Sequence, residues 1–296
     1  MIGLILMVQL AVGRGEHDRM NQDAYENFNQ RVDSFKERIG FSKLKEVTGP
    51  DGVLARWEDL QKALTIQLKR LRLERTDCSV VESGMGEAEW IWRRGESSVD
   101  VSIFVSGAGP EKAQQKLLAI GSNTTMVRIP YEAGPADLGD LSIHDPRYPA
   151  SGVTWVYKNI CVDINTDGSG VDVEPIARVI QKFMEAHRVA RLAEHLPRVE
   201  RVDVSAKQIH VGEEWRVSFE LGKKTPIESV LTEVGEEWQS LNLGWNRRLE
   251  AIKHSPLGAV YRGVAPGTAR VQIRVVDRKT LLSPPLSVTV DVLPAR

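Results

Sequence analysis

The 296-residue sequence contains few of the patterns by which catalytic or metal centres are usually recognised. It has two cysteines, Cys78 and Cys161, and no Cys-x-x-Cys pair, which excludes the common zinc-finger and thioredoxin motifs. Gly-x-Ser-x-Gly, His-Glu-x-x-His and Gly-Lys-Ser/Thr sequences are also absent. The six histidines are scattered along the chain. No catalytic centre can therefore be named, and the sequence favours a non-enzymatic protein.

The chain also lacks an excess of charge of either sign and a long apolar run. Its 39 basic and 40 acidic residues give a net charge of −1, so neither nucleic acid nor an anionic membrane is favoured as a partner. The longest apolar segment, within residues 1–13, is shorter than the roughly 20 residues of a transmembrane helix.

Residues 1–15 instead resemble a secretory signal segment. The apolar run ends in small residues, Ala11 and Gly13, although no positive charge precedes it. We expect an exported protein, periplasmic or extracellular, and an ordinary N-terminus is the alternative. In an oxidising compartment Cys78 and Cys161 could form a disulfide worth about 4 kcal/mol; two unpaired thiols are equally compatible with the sequence.

The most informative stretch is residues 155–186. Two β-rich runs flank Lys158 and Asn159, a pair suited to a hairpin turn. A Gly-rich turn follows, and then Asp172 and Pro175 suit the start of an amphipathic helix. The pattern predicts a strand-strand-helix unit.

Residues 89–120 show the same order, with Asp100 in the position of Asp163. We therefore predict an internal ββα duplication over residues 77–196, although chance similarity is an alternative. The expected fold class is α+β: a ββα-ββα domain with one four-stranded antiparallel sheet and both helices on one face.

The flanking regions predict two further parts. Residues 16–76 contain helical patterns on both sides of a Gly-Pro break, which indicates an N-terminal α-hairpin that packs in cis or binds a partner chain. The heptad-like seam of its second helix is formed by Trp57, Leu60, Leu64, Leu68 and Leu71. Residues 197–296 contain about seven short strands separated by Gly and Pro turns, which is typical of an immunoglobulin-like β-sandwich.

The long segment between the two repeats is the best candidate for a recognition surface. Residues 121–152 form a connection of unusual length, which is typical of functional loops. Tyr131, His144, Arg147 and Tyr148 are its candidate contacts. An irregular cover over a sheet edge is the alternative.

A second candidate site is a calcium loop. Asp163, Asn165, Asp167 and Glu174 match the ligand spacing of an EF-hand, in which alternate side chains and a final glutamate surround one ion. The segment before Asp163 is a predicted strand where an EF-hand has a helix. A solvated, capped turn between strand and helix is therefore the alternative, and the sequence indicates no cofactor other than calcium.

The second repeat resembles a pattern found in bacterial exported proteins of unknown function. The matching residues are Leu138-Gly139-Asp140, the two strands at 155–164 and the start of the helix at 173–179. The resemblance implies an extracytoplasmic setting and brings no catalytic residues. The sequence thus predicts a non-enzymatic binding or assembly module of the bacterial cell envelope, with a protein partner there. A calcium-dependent adhesion module and a hydrolase with its site under residues 121–152 are the alternatives.

Overall fold

The computed structural model has a mixed α+β fold, as predicted, with mostly antiparallel sheets. It describes residues 14–47, 49–81, 85–107, 109–123, 129–167, 170–222, 231–236, 248–255, 257–277, 279, 281, 283–284 and 286–296. Residues 1–13 of the signal-like segment lie outside these residues. Within the described part, no helix is both long and apolar enough to cross a membrane.

The first unit is built on one antiparallel sheet. In chain order its elements are α1 (Arg14–Ile39), β1 (Gly52–Val53), α2 (Trp57–Gln67), β2 (Arg72–Val81), β3 (Met85–Arg94), β4 (Ser97–Val105), α3 (Pro110–Ser122), β5 (Glu132–Ala133), β6 (Leu141–His144), β7 (Gly152–Tyr157), β8 (Ile160–Asp167), α4 (Val173–Ala186) and β9 (Arg188–Val189). In the described residues this sheet has seven strands in the order β2-β3-β4-β8-β7-β6-β5, and a further two-stranded sheet pairs β1 with β9. Short 3-10 helices cover Phe41–Glu46 and Leu192–His195.

Both predicted ββα units are present, as β3-β4-α3 and β7-β8-α4. Strands β4 and β8 pair antiparallel in the middle of the sheet, with Asp100 opposite Asn165 and Ser102 opposite Asp163. Asp100 and Asp163 therefore lie on the same face, as expected for equivalent positions of a duplication. Within the described residues the sheet nevertheless has seven strands rather than the predicted four.

The prediction that both helices cover one face is wrong. Helix α3 packs with Phe104, Val156 and Cys161 on one face, whereas α4 packs with Val162 and Ile164 on the other. The physical reason is that β8 is apolar on both sides, with Ile160, Cys161 and Val162 all buried in succession. A sheet with two apolar faces must be covered on both.

The predicted N-terminal α-hairpin is also wrong. Helix α1 contributes Phe35 and Ile39 to the core on the α3 side, whereas α2 contributes Leu60 and Leu64 to the core on the α4 side. The two helices are thus separated by the sheet. Helix α2 ends at Gln67, so Leu68 and Leu71 of the predicted seam lie beyond the helix, and β2 begins at Arg72.

The cysteines are held apart by the sheet. Cys78 on β2 pairs with Ala88 on β3, while Cys161 on β8 pairs with Phe104 on β4. Strands β3 and β4 therefore lie between them, and three strand spacings amount to about 14 Å. A disulfide needs Cα atoms within about 7 Å, so the chain does not link them, and Cys161 is a buried free thiol.

The Leu138-Gly139-Asp140 sequence fixes the segment beside β7. Leu138 is buried in the core, and Gly139 adopts a φ of 70°, where a Cβ would lie 2.3 Å from the Val156 carbonyl oxygen. The Asp140 carboxylate accepts a 2.7 Å hydrogen bond from the Lys158 backbone N–H in the β7-β8 turn. Each residue of the motif therefore has a separate structural role.

The second unit consists of two four-stranded sheets around a shared core. The strands are β10 (Val199–Val204), β11 (Gln208–His210), β12 (Glu214–Leu221), β13 (Leu231–Glu236), β14 (Leu249–Ser255), β15 (Gly258–Gly263), β16 (Gly267–Val276) and β17 (Leu286–Leu293). One sheet has the order β10-β12-β15-β14 and the other β11-β17-β16-β13. Trp215 and Tyr261 from the first of these sheets meet Val271 and Val290 from the other.

The connection between β16 and β17 joins the two units. Leu281 is fully buried and belongs to the core that contains α2 and α4. The indole N–H of Trp57 donates a 3.0 Å hydrogen bond to the Lys279 carbonyl. The second unit therefore places an apolar side chain in the core of the first.

Candidate functional site

The predicted recognition residues surround a cavity of about 280 Å³ beside the C-terminal end of α3. We call it the polar cavity. Its floor is formed by β6, β7 and β8, and the turn that follows β6 covers one side. The residues that line it are Ile120, Tyr131, Ile143, His144, Asp145, Tyr148, Ser151, Gly152, Val153, Thr154, Asp163, Asn165 and Thr166.

Asp163 is placed at the floor by the β7-β8 hairpin. The two-residue turn sets the register in which Thr154 lies opposite Asp163. The Thr154 hydroxyl donates a 2.7 Å hydrogen bond to one carboxylate oxygen, and the Asn165 amide donates a 2.9 Å bond to the other. Burial raises the pKa of Asp163, while these two hydrogen bonds oppose the shift by favouring the charged form.

Asp145 carries the second carboxylate of the polar cavity, and Arg147 neutralises it. The Arg147 Nη2 atom lies 2.6 Å from Asp145 Oδ2, and Arg147 Nε and the Arg147 backbone N–H each donate 3.0 Å bonds to Oδ1. This hydrogen bonding holds the pKa of Asp145 below its ordinary value. The Arg147 guanidinium also lies 5.7 Å from the centre of the Tyr148 ring.

Tyr131 is half-buried, and Arg38 of α1 fixes its backbone. Arg38 Nη2 donates hydrogen bonds of 2.6 and 2.9 Å to the Ile129 and Tyr131 carbonyls. The pKa of the Tyr131 phenol is raised, first by burial and then by the negative charges of Asp163 and Asp145. Both carboxylates are therefore close enough to raise the pKa of the phenol, and all three side chains line the polar cavity.

His144 separates the polar cavity from a second cavity of about 250 Å³ on the α4 side. Within the described residues, the His144 Nδ1 atom is buried and has no hydrogen-bond partner. The second cavity is mostly apolar and is lined by Ala133, Gly134, Pro135, Leu138, His144, Pro149, Val153, Val173, Glu174, Ala177 and Arg178. At its edge, Arg178 bonds to both Asp137 and Glu174.

The structure brings together three of the four predicted recognition residues. Tyr131, His144 and Tyr148 all line the polar cavity, and Arg147 lies at its edge through its bond to Asp145. Tyr148 is 63% exposed and stands at the opening. Whether these residues bind a partner stays a prediction.

The predicted calcium ligands are divided between several places. Asp163 and Asn165 line the polar cavity, Asp167 is exposed at the end of β8, and Glu174 lines the second cavity and bonds to Arg178. In the described part of the chain no three His, Cys, Asp or Glu side chains form a metal-binding group. Gly168 and Ser169 lie outside the described residues, so calcium binding also stays a prediction.

Thr154 and the carboxylate of Asp145 line the polar cavity but were not among the predicted site residues. The Thr154 position could have been found from the hairpin, because a two-residue turn at Lys158-Asn159 requires Thr154 to face Asp163. No pattern in the sequence could have predicted that Tyr131 lies near this hairpin, since residues 129–131 are held there by their contacts with α1.

No protein-family model and no curated protein matches the chain. Among solved structures, the titin M3 domain is similar at 14% identity and a TM-score of 0.21, over 34% of this chain and 97% of that domain. The gamma-CGTase of Alkalophilic bacillus clarkii is similar at 11% identity and a TM-score of 0.17, over 74% of this chain and 26% of the enzyme. Similarity at these scores carries no information about function.

Proposed function

We propose that the chain is a non-enzymatic binding or assembly module of the bacterial cell envelope. In this proposal the polar cavity binds a small ligand or a side chain of a protein partner, and the second unit acts as a spacer that presents it. The observation that carries the proposal is the convergence of Tyr131, His144 and Tyr148 on one cavity whose floor carries Asp163.

The strand order of the second unit supports the spacer role. A sheet β10-β12-β15-β14 facing a sheet β11-β17-β16-β13, with β11 parallel to β17, has the connectivity expected of an immunoglobulin-like domain. Such domains often serve as spacers or adhesion modules, an inference by fold analogy. The apolar segment at residues 1–13 supports export.

A fragment screen by 15N NMR tests the binding site. Fragments that shift the backbone amides around the polar cavity should lose their affinity in Ser151→Phe, because the added ring fills the opening. Ser218→Phe is the matched control, since Ser218 is an exposed position of β12 in the other unit. Hits that map elsewhere, or that bind the Ser151→Phe variant equally well, would contradict the proposal.

The assembly role has its own test. Crosslinking in intact cells followed by fractionation should recover the chain with a stable envelope partner, and recovery should fall in the Ser151→Phe variant. A chain that remains a lone monomer in the envelope fraction would count against assembly.

A calcium-dependent structural or adhesion module is the second candidate, because Asp163 and Asn165 share one cavity. Calcium binding would also require Glu174 to leave Arg178. Thermal melting with calcium and with chelator decides between the two. A rise of several degrees with calcium that disappears in Asp167→Ala supports the calcium site, and identical melting curves reject it.

The hydrolase alternative predicts a turnover that is lost in His144→Ala.

A further inference from the structure

The floor of the polar cavity carries a negative charge without an ion-pair partner. Among the described residues, no Lys or Arg side chain lies within ion-pair distance of Asp163, whose hydrogen-bond partners are the neutral Thr154 and Asn165. The Lys116 ammonium acts on Asp163 only at longer range, and it lies 3.9 Å from the centre of the Phe104 ring. A carboxylate without an ion-pair partner in a partly buried site favours the binding of a cation.

The other charges around the cavity cancel. Arg147 forms a two-pronged ion pair with Asp145, which leaves Asp163 as the unbalanced charge. The net charge of these side chains is therefore negative; burial is the main cause of the raised pKa of Tyr131, and Asp163 and Asp145 add to it.

Two tyrosine rings border the same space. Tyr131 is half-buried inside the cavity, and Tyr148 stands at the opening. Aromatic faces attract ammonium groups through the ring quadrupole. A carboxylate at the floor, with aromatic rings between it and the opening, is suited to an organic cation that has an apolar stem.

A bare metal ion suits the cavity less well. Calcium takes six to eight oxygen ligands at about 2.4 Å, whereas the cavity supplies one unpaired carboxylate whose two oxygens already accept hydrogen bonds. Its volume of about 280 Å³ also exceeds the space of one water molecule, about 30 Å³, by a wide margin.

We propose that the polar cavity binds a primary ammonium group, with Asp163 as its ion-pair partner and Tyr131 and Tyr148 as aromatic contacts. This inference rests on the proposed binding function of the same cavity and names its ligand class. The ammonium group belongs either to a small amine or to a lysine side chain of a partner, since both present the same chemistry.

The test compares two probes with the same carbon skeleton, n-butylammonium and 1-butanol, by 15N NMR titration at neutral pH. Butylammonium should produce saturable shifts of the amides around the cavity, and 1-butanol should bind about tenfold more weakly or worse. Asp163→Asn should weaken butylammonium binding by a similar factor. Glu132→Gln, an exposed acidic residue next to Tyr131 on β5, is the matched control and should bind as the parent does.

A second variant guards against loss of folding in Asp163→Asn. Tyr148→Ala changes an exposed residue at the opening, so it should keep the fold while it weakens butylammonium binding several-fold. An Nα-acetyl-lysine amide that binds more tightly than butylammonium would assign the ammonium group to a partner protein, and the reverse order would assign it to a small amine.

Three results would overturn the inference. Equal binding of 1-butanol, or binding only of uncharged fragments, would leave the cavity as a binding site but reject the ammonium ligand. If calcium chloride displaces butylammonium at a concentration below that of butylammonium itself, the preferred ligand of the cavity is a metal ion rather than an ammonium group. Absence of saturable binding by butylammonium and by every fragment of the screen would reject the proposed function as well.

Discussion

At the scale of single residues, the fold depends on polar side chains that are buried with their partners. Asn159 is 1% exposed; its Oδ1 accepts a 2.7 Å bond from the Val53 N–H, and its Nδ2 donates a 3.0 Å bond to the Ser106 carbonyl. The positive φ of the hairpin turn belongs to its neighbour Lys158. Asn159 is therefore a link between β1 and the end of β4 rather than a turn residue chosen for its backbone.

The first prediction concerns this link. Asn159→Ala removes both partners, and leaving a buried N–H and C=O unsatisfied should lower the free energy of unfolding by about 2–4 kcal/mol. Urea denaturation followed by tryptophan fluorescence measures the change. Asn123→Ala, at the exposed C-terminal end of α3, should change it by less than about 0.5 kcal/mol. Equal effects would show that the Asn159 bonds contribute little.

The second prediction concerns Asp163 and pH. Its pKa is raised by burial, so the folded state holds the proton more tightly than the unfolded chain does. Its contribution to stability is therefore greatest below the ordinary aspartate pKa of about 4 and falls as the pH rises through the raised pKa. In Asp163→Asn the free energy of unfolding should no longer fall over this pH range. The altered hydrogen bonds of the variant should add only a change that is the same at every pH.

Unfolding by urea at a series of pH values measures the difference. Asp137 provides a control of opposite sign, because its hydrogen bond to Arg178 lowers its pKa. Its contribution is present above the ordinary aspartate pKa and is lost as the pH falls through the lowered value, so Asp137→Asn should remove a small loss of stability at low pH. Parallel pH profiles for the parent and Asp163→Asn would contradict the assignment for Asp163.

At the scale of elements, the turn before β6 depends on a glycine, because it lies too close to the backbone of β7 to leave room for a side chain. Gly139 combines a positive φ with a close approach to the β7 backbone, whereas Gly95 in the β3-β4 turn has a φ of 60° and no atom within 4 Å of the point where a Cβ would lie. The two glycines therefore separate the cost of the left-handed backbone from the cost of a steric clash.

The third prediction uses this pair. Gly95→Ala should cost about 1 kcal/mol from the backbone conformation alone. Gly139→Ala should cost roughly 1–3 kcal/mol more, because a carbon 2.3 Å from the Val156 oxygen requires β7 to move. Thermal or urea unfolding measures both. A movement of β7 should also weaken ligand binding in the polar cavity, whereas Gly95→Ala should leave it unchanged.

At the scale of the whole molecule, the two units are coupled through the connection between β16 and β17. Leu281 lies in the core of the first unit, and the Trp57–Lys279 hydrogen bond closes the contact beside it. An apolar side chain inserted from one unit into the core of the other predicts that they unfold together.

The fourth prediction is that Leu281→Ala weakens this coupling. The cavity left in the core should lower the stability of the first unit by about 2–4 kcal/mol and separate one unfolding transition into two. Differential scanning calorimetry shows the separation. Val264→Ala, a partly exposed position in the second unit, is the control and should keep the single transition. A single transition in Leu281→Ala would show that other contacts couple the units.

Local patterns in the amino-acid sequence placed some of the elements but not all of them. Alternating apolar residues, Gly and Pro turns, and the Asp172 cap of α4 located both ββα units and several strands of the second unit, whereas β1, β2, β5, β9 and β14 were not predicted. The alternation in β8 and the short β7-β8 turn also place Asp163 opposite Thr154.

Three features became visible only in the folded chain: which sheet face each helix covers, the separation of α1 from α2, and the meeting of Tyr131 with Asp163 in one cavity. All three depend on long-range packing of surfaces that are apolar on more than one side. Such surfaces can be buried in several ways, and no local periodicity selects among them.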